Sequence, residues 1–197
     1  MVSTEQIIAP SAAISGLTYL PNYITAAQEA DLLEAIDTQP WITELKRRVQ
    51  HYGYRYDYKT RGVSQKDHLG TPPEWIQSYA AGLHQRGLFP QIPDQIIVNE
   101  YEPGQGISAH IDCVPCFGEP IASLSLGSAC IMDSMHGKTG EKQSMLLEPR
   151  SLIILSGEAR YQWKHAIAAR KSDRLNGGLI PRMRRVSLTF RLMLHTS

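Results

Sequence analysis

Hydrophobic positions along this chain change their period about halfway. From Thr25 the stretch TAAQEADLLEAIDT carries Leu32, Leu33 and Ile36 on one helical stripe, and Thr25 and Gln28 have capping-box spacing, which together predict a helix. A second helix is marked at its start by Thr71, Pro72 and Glu74, runs through Trp75, Ile76, Tyr79 and Leu83, and stops at Gly87. After Pro90 the apolar runs shorten to strand length and are broken by Gly, Pro and Asp: QIIVNEY, IASLSLG, ACIMDSM, SMLL, SLIILSG and VSLTFRLML. Helices first and strands after, with no internal repeat or low-complexity linker, predict a mainly β chain with flanking helices. The architecture that fits is a double-stranded β-helix, or jelly roll, backed by the N-terminal helices. Residues 1–16 show no strong period and are expected to form a loose arm, with 17–197 as a single domain.

The last run is the most readable strand. Alternation places Val186, Leu188, Phe190, Leu192 and Leu194 on one face and Arg185, Ser187, Thr189 and Arg191 on the other. An exposed strand would give the same pattern. The polar face, however, holds only hydroxyls and two guanidinium groups, with no acid among them, and that favours a face lining a site. The Cα atoms of Arg185 and Arg191 stand roughly 20 Å apart at the usual rise per residue. Two such side chains bending inward can grip opposite ends of a short dicarboxylate.

Upstream, NEYEPGQGISAHID puts Asn99 and Tyr101 on one strand parity, then a Gly-rich turn, then His110 and Asp112. Two residues apart on extended chain, the imidazole and carboxylate point to the same side. Two histidines and one carboxylate are the usual ligands of non-haem Fe(II) in oxygenases. About 0.7 His-x-acid pairs are expected by chance from this composition, so the pair counts only with its surroundings. The third ligand is His165 in YQWKHAI, which follows a tight SGEAR turn and reaches the same centre only in a rolled sheet. His51, His68, His84, His136 and His195 read as surface or internally satisfied groups.

Composition narrows the class without naming the partner. Hydrophobic content of 42% and charged content of 20% describe an ordinary globular chain. A net charge of +1 excludes a wholly basic nucleic-acid coat but leaves room for a local phosphate-binding patch. The absence of a long apolar window or a basic, apolar leader makes the cytoplasm the expected compartment. Three cysteines make no disulfide framework, which fits a reducing compartment. Cys113 and Cys116, in CVPC, read as a loop beside the metal site: a zinc site wants four ligands, and Cys130 stands in an apolar run.

Leu45 to Lys59 carries the substrate question. Lys46, Arg47 and Arg48 form a short basic cluster, and Tyr52, Tyr54, Tyr56 and Tyr58 alternate onto one face of what reads as a hairpin. The cations can hold phosphates while the tyrosines stack an extruded base. Equally, the tyrosines can pack on the sheet with the cations as a solvated edge.

With these residues in view, NEYEPGQGISAHID, YQWKHAI and RRVSLTFR resemble the iron- and 2-oxoglutarate-dependent dioxygenases of the AlkB family, in the pattern NxYxPG, HxD, H and RxxxxxR. The resemblance covers residues 17–194. Within the family, LKRRVQHYGYRYDY and SLSLGS look most like the oxygenase domain of animal enzymes that hydroxylate modified wobble uridines in tRNA. It implies that His110, Asp112 and His165 hold Fe(II), that Asn99, Tyr101, Arg185 and Arg191 bind 2-oxoglutarate, and that O2 is the oxidant. It also implies a nucleic-acid partner, held by Lys46, Arg47, Arg48, Tyr52 and Tyr54, and a monomer away from membranes. The product is formaldehyde where the oxidised carbon sits on a ring nitrogen, and a stable alcohol otherwise. DNA-repair members carry a second acid two positions beyond the metal aspartate, where this chain has Val114. Ser187 stands where the founding bacterial enzyme has asparagine. These departures weigh against repair of methylated adenine or cytosine and toward a tRNA or other RNA base. A protein or small-molecule substrate for the same chemistry, and a non-catalytic binding module, are the alternatives.

Overall fold

The computed structural model describes residues 14–194, so His195 and nearly all of the expected arm lie outside the described residues. In chain order the elements are β1 (Leu17–Leu20), α1 (Ala26–Asp37), β2 (Arg48–Tyr52), α2 (Glu74–Gln85), β3 (Gln95–Tyr101), β4 (Ile107–His110), β5 (Ile121–Gly127) and β6 (Cys130–His136). There follow β7 (Lys142–Leu147), β8 (Leu152–Leu155), α3 (Gly157–Tyr161), β9 (Trp163–Ile167), β10 (Ser172–Leu175), β11 (Gly178–Pro181) and β12 (Arg185–Arg191). Two antiparallel sheets carry the fold, a six-stranded one in the order β1-β8-β5-β12-β3-β2 and a four-stranded one in the order β4-β9-β6-β7. This is the mainly β jelly roll with flanking helices that the periodicity predicts.

Both expected helices form for the expected reasons. Thr25 Oγ1 accepts from the Gln28 amide, and the Gln28 side chain accepts from the Thr25 amide in return, which closes the capping box. Leu32 and Ile36 of α1, with Ile76, Ala80 and Leu83 of α2, pack on the outer face of the six-stranded sheet against Ile96, Val98, Leu124, Leu126, Val186, Leu188 and Phe190. The opposite face of that sheet turns toward the smaller one, and Ile153, Leu155, Met132, Leu147, Trp163 and Ile167 fill part of the space between them.

Two expectations need correcting, and one holds. β12 ends at Arg191, so Leu194 does not continue the apolar face and is 45% exposed. The polar face is internal, as its composition indicates: Arg185, Ser187 and Arg191 are all buried on a central strand, between β3 and β5. Finally, the tyrosine hairpin does not exist as a regular strand pair. β2 stops at Tyr52, Gly53 takes φ +75°, and the alternation that would align the four rings is lost there. A Cβ at Gly53 would lie 1.8 Å from the Asp94 carbonyl oxygen, so only glycine permits this close crossing.

Candidate metal and co-substrate site

β4 and β9 are neighbours in the small sheet, and their register sets His110 directly opposite His165. The candidate third ligand thus comes from the adjacent strand, which is distant in sequence. Gly106 permits the approach, since a Cβ there would meet the Ile167 carbonyl oxygen at 2.2 Å. The two imidazole centroids lie 4.4 Å apart, and Asp112 follows two residues beyond His110. Ligand atoms of His110, Asp112 and His165 all fall within 4.8 Å of one another.

Surrounding groups fix which atoms point inward. His110 Nδ1 sits 2.7 Å from the Ser108 carbonyl oxygen, a contact that requires the proton on Nδ1 and turns Nε2 toward Asp112. That Nε2 is 3.4 Å from Asp112 Oδ1, while Asp112 Oδ2 accepts from Arg191 Nε at 3.2 Å. Burial opposes ionisation of Asp112, but the Arg191 guanidinium, with the two histidines, outweighs it and holds the carboxyl well below its usual range. Burial pushes His165 down to about 4, so at neutral pH it is an uncharged imidazole. Two imidazoles and one carboxylate make a donor set that suits a divalent transition metal.

Arg191 also donates to Gln95 Oε1 at 3.0 Å, and its guanidinium lies 5.0 Å from the Phe117 ring centroid. Six residues along β12, Arg185 is in a different state. It donates to Ser125 Oγ at 2.8 Å and lies 5.6 Å from the Tyr101 ring centroid, yet its buried Nε has no partner. Among the described residues no carboxylate lies within ion-pair distance of it. A small recess opens beside it, lined by Tyr101, Glu102, Gln105, Ile167, Arg182 and Arg185. A buried cation with a free donor facing a recess is fitted to a small anion. Asn99, Tyr101 and Ser187 share this face, with Ser187 opposite both Asn99 and Ser125.

The basic cluster divides by strand parity. Arg47 turns into the site, where its Nε donates to Asn99 Oδ1 at 2.9 Å and its guanidinium lies 5.8 Å from the Tyr58 ring centroid. Arg48 points to the opposite face, paired with Glu100 and stacked 4.7 Å from the Trp41 ring. Lys46 is exposed. Tyr52 and Tyr54 are both 9% exposed. Tyr52 belongs to the helix-side core, edge-on to Trp75 and donating to Gln50 Oε1, and Tyr54 packs with Cys116, Phe117 and Met193. Neither ring offers a free stacking face, so the substrate-stacking role expected for them is withdrawn, as is a phosphate-binding role for Arg48.

Several groups near the centre escaped the sequence. His51 lies on the site face of β2, its ring 5.6 Å from Tyr58. Burial, reinforced by Arg55, Arg191 and Arg47, lowers its pKa to about 4. Gln95 and Ser125 were readable by parity, the first in step with Asn99 and Tyr101, the second in step with Ser123. Val114 is 46% exposed, two positions beyond Asp112. Contrary to the expectation of free thiols, Cys113 and Cys116 form a disulfide, with Cα atoms 5.2 Å apart, while Cys130 is free and buried.

Comparison with known proteins gives a consistent result. The family model described as the 2OG-Fe(II) oxygenase superfamily matches residues 16–191. The chain is 40% identical over 204 residues to the "Alkylated DNA repair protein ALKBH8 homolog" of Arabidopsis thaliana, covering 90% of this chain and 58% of that protein. It is 36% identical over 216 residues to the "tRNA (carboxymethyluridine(34)-5-O)-methyltransferase alkbh8" of Xenopus tropicalis, covering 99% of this chain but only 34% of that one. The chain therefore spans between a third and three fifths of these two relatives. Among solved structures, that of OsALKBH1 shares the fold, with a TM-score of 0.68 at 18% identity over 93% of this chain and 100% of its own.

Proposed function

Since this chain belongs to the 2OG-Fe(II) oxygenase superfamily, in its AlkB branch, and is a dioxygenase that uses Fe(II), 2-oxoglutarate and O2, we propose that its substrate is a modified base in nucleic acid, with tRNA favoured. In this reading His110, Asp112 and His165 hold the iron, and Asn99, Tyr101, Arg185 and Arg191 seat the co-substrate. The observation that carries it is the pairing of a preorganised donor set with a buried guanidinium that lacks an anion.

Bound iron with 2-oxoglutarate and O2 oxidises a substrate C–H bond and releases succinate and CO2. The chain's part is to hold the participants. His165 presents a neutral imidazole, so no proton must be displaced from it before a metal is held. Arg191 draws off one oxygen of Asp112 and leaves the other toward His110, and so presents a single carboxylate atom to the centre. Arg185, at the far end of the strand, offers its free Nε to the distal carboxylate of the co-substrate. The surrounding apolar residues and buried tyrosines keep water from the site.

Three things support nucleic acid as the partner. The names of the two relatives concern alkylated DNA and carboxymethyluridine 34 of tRNA. Arg47 reaches the site from the exposed side, beside Lys46. Lys171 and Arg174 are exposed on and next to the β10–β11 hairpin, whose base meets the same turn that Lys46 meets, through Gly104 to Arg170 and Gln105 to Lys46. The missing acid at Val114 favours an RNA base over the repair of methylated adenine or cytosine. Among the described residues no helix is long and apolar enough to cross a membrane.

The test is incubation with Fe(II), 2-oxoglutarate and ascorbate over cellular tRNA and methylated oligonucleotides, read by nucleoside mass spectrometry. A change confined to one tRNA nucleoside, coupled to succinate release and lost in His110→Ala, is the expected outcome. Turnover of 2-oxoglutarate indifferent to every nucleic acid would move the assignment to a protein or small-molecule substrate.

A further inference from the structure

Arg160, the last residue of the SGEAR turn, has no part in the site so far, and its surroundings are uncommon for a cation. It is 2% exposed, and among the described residues no carboxylate lies within ion-pair distance of it. An unpaired buried charge is unfavourable unless hydrogen bonds compensate it. Here the two terminal nitrogens are compensated by the main chain of one loop, while the buried Nε has no partner. Arg160 Nη1 donates to the Asp112 carbonyl oxygen at 3.0 Å, and Nη2 donates to those of Phe117 at 2.9 Å and Cys113 at 3.4 Å. Within the same loop the amides of Cys116 and Phe117 both donate to the Cys113 carbonyl, and the disulfide joins Cys113 to Cys116. The loop is thus a small carbonyl cage wrapped around one guanidinium.

What the cage connects matters more than the cage itself. Arg160 lies on α3, the short helix between β8 and β9, and His165 follows on β9. Asp112 is the first residue of the caged loop. One guanidinium therefore ties the main chain that carries Asp112 to the segment that delivers His165, while Arg191 holds the Asp112 carboxylate from the other side. No other side-chain hydrogen bond in the described structure joins Asp112, Cys113 or Phe117 main chain to the segment of α3.

We propose that Arg160 is a positioning residue for the metal centre, setting the separation of Asp112 and His165 by clamping the carbonyls of the 112–117 loop to the helix before β9. The proposal rests on the reading of His110, Asp112 and His165 as metal ligands. A residue that orients a ligand in this way governs metal affinity, and loss of such support typically weakens binding about 10- to 100-fold.

The experiment is Co(II) titration of the purified chain, free of co-substrate, followed by its visible d–d bands. Arg160→Met should weaken Co(II) binding about 10- to 100-fold and change the band pattern. Arg160→Lys, which keeps the charge but cannot reach three carbonyls, should fall between it and the wild type. Leu83→Ala, in the helix-side core on the far face of the six-stranded sheet, supplies a variant destabilised by a cavity, and it should bind Co(II) as the wild type does despite a lower Tm. Wild-type affinity and bands in both Arg160 variants would overturn the proposal. Should the methionine variant fail to fold, Arg160→Lys decides alone, since a merely structural arginine predicts a lower Tm with unchanged binding. Failure of the wild type to bind Co(II), or undiminished binding in His110→Ala, would instead overturn the metal reading beneath it.

Discussion

Replacing Arg185 by methionine separates two energies that the natural residue combines. Without co-substrate, Arg185 is 4% exposed, with its Nε unpaired and one hydrogen bond to Ser125 Oγ. An unsatisfied buried donor costs about 1–3 kcal/mol, and methionine fills similar space without it. The ligand-free variant should therefore unfold at the same temperature as the wild type or a few degrees higher. With 2-oxoglutarate the sign reverses, because a buried carboxylate that loses its charge partner forfeits roughly 2–5 kcal/mol. That corresponds to a Kd raised roughly 30-fold to several thousand-fold. Thermal unfolding with Mn(II) in place of iron, with and without 2-oxoglutarate, reads both effects. Ligand at about 100 times the wild-type Kd stabilises by about 2.7 kcal/mol, which is roughly 5–10 °C for a chain of this size. In Arg185→Met the same concentration should give a shift of less than about 3 °C. Equal ligand-induced shifts in the two proteins would refute the reasoning, and a large fall in the ligand-free Tm would mark Arg185 as a structural support instead.

Two further outcomes follow from burial. Tyr52→Ala should lose about 3–5 kcal/mol of stability in denaturant titration and leave 2-oxoglutarate affinity intact; weakened substrate binding at full stability would restore the stacking role withdrawn above. His51 has a folded pKa of about 4 against an ordinary 6.5, so on acidification the unfolded chain takes up its proton first. Stability is thus complete above pH 6.5 and falls as the pH drops from there toward 4, by at most about 3 kcal/mol from this residue. His51→Asn should flatten the fall of the urea midpoint across that window, leaving the share due to His165; an unchanged slope would show that His51 is not desolvated.

Legibility followed the reach of each signal. The capping box at Thr25 and the stripe through Leu32 and Ile36 are local, and α1 forms where they indicate. The same holds for QIIVNEY, which is β3 in full. Parity within β12 put Arg185 and Arg191 on one face, but parity is blind to neighbours, and only the pairing with β3 and β5 shows that face to be buried. His165 needs a rolled sheet that brings distant strands together, and β9 lies beside β4; which strand would be its neighbour is not local information. The tyrosine series failed for a local reason that could have been seen. Gly53 interrupts it, and glycine inside an alternating run is a warning of a bend. The β10–β11 hairpin was missed although Asn176 and Gly177, with φ of 51° and 82°, form the Asn-Gly turn that favours hairpins. Arg160 left no trace in periodicity, since its partners are carbonyls, which every residue carries.

The double pairing of β12 has a consequence for how this protein tolerates change. A strand hydrogen-bonded along both edges opens only when much of the sheet opens, so its amides exchange slowly, whereas the irregular stretch from Gly53 to Leu69 exchanges without disturbing it. Arg185 and Arg191 both sit on the doubly paired strand, whereas the stretch from Gly53 to Leu69 lies outside the sheets. Substitution in that stretch is therefore expected to leave the two arginines in place.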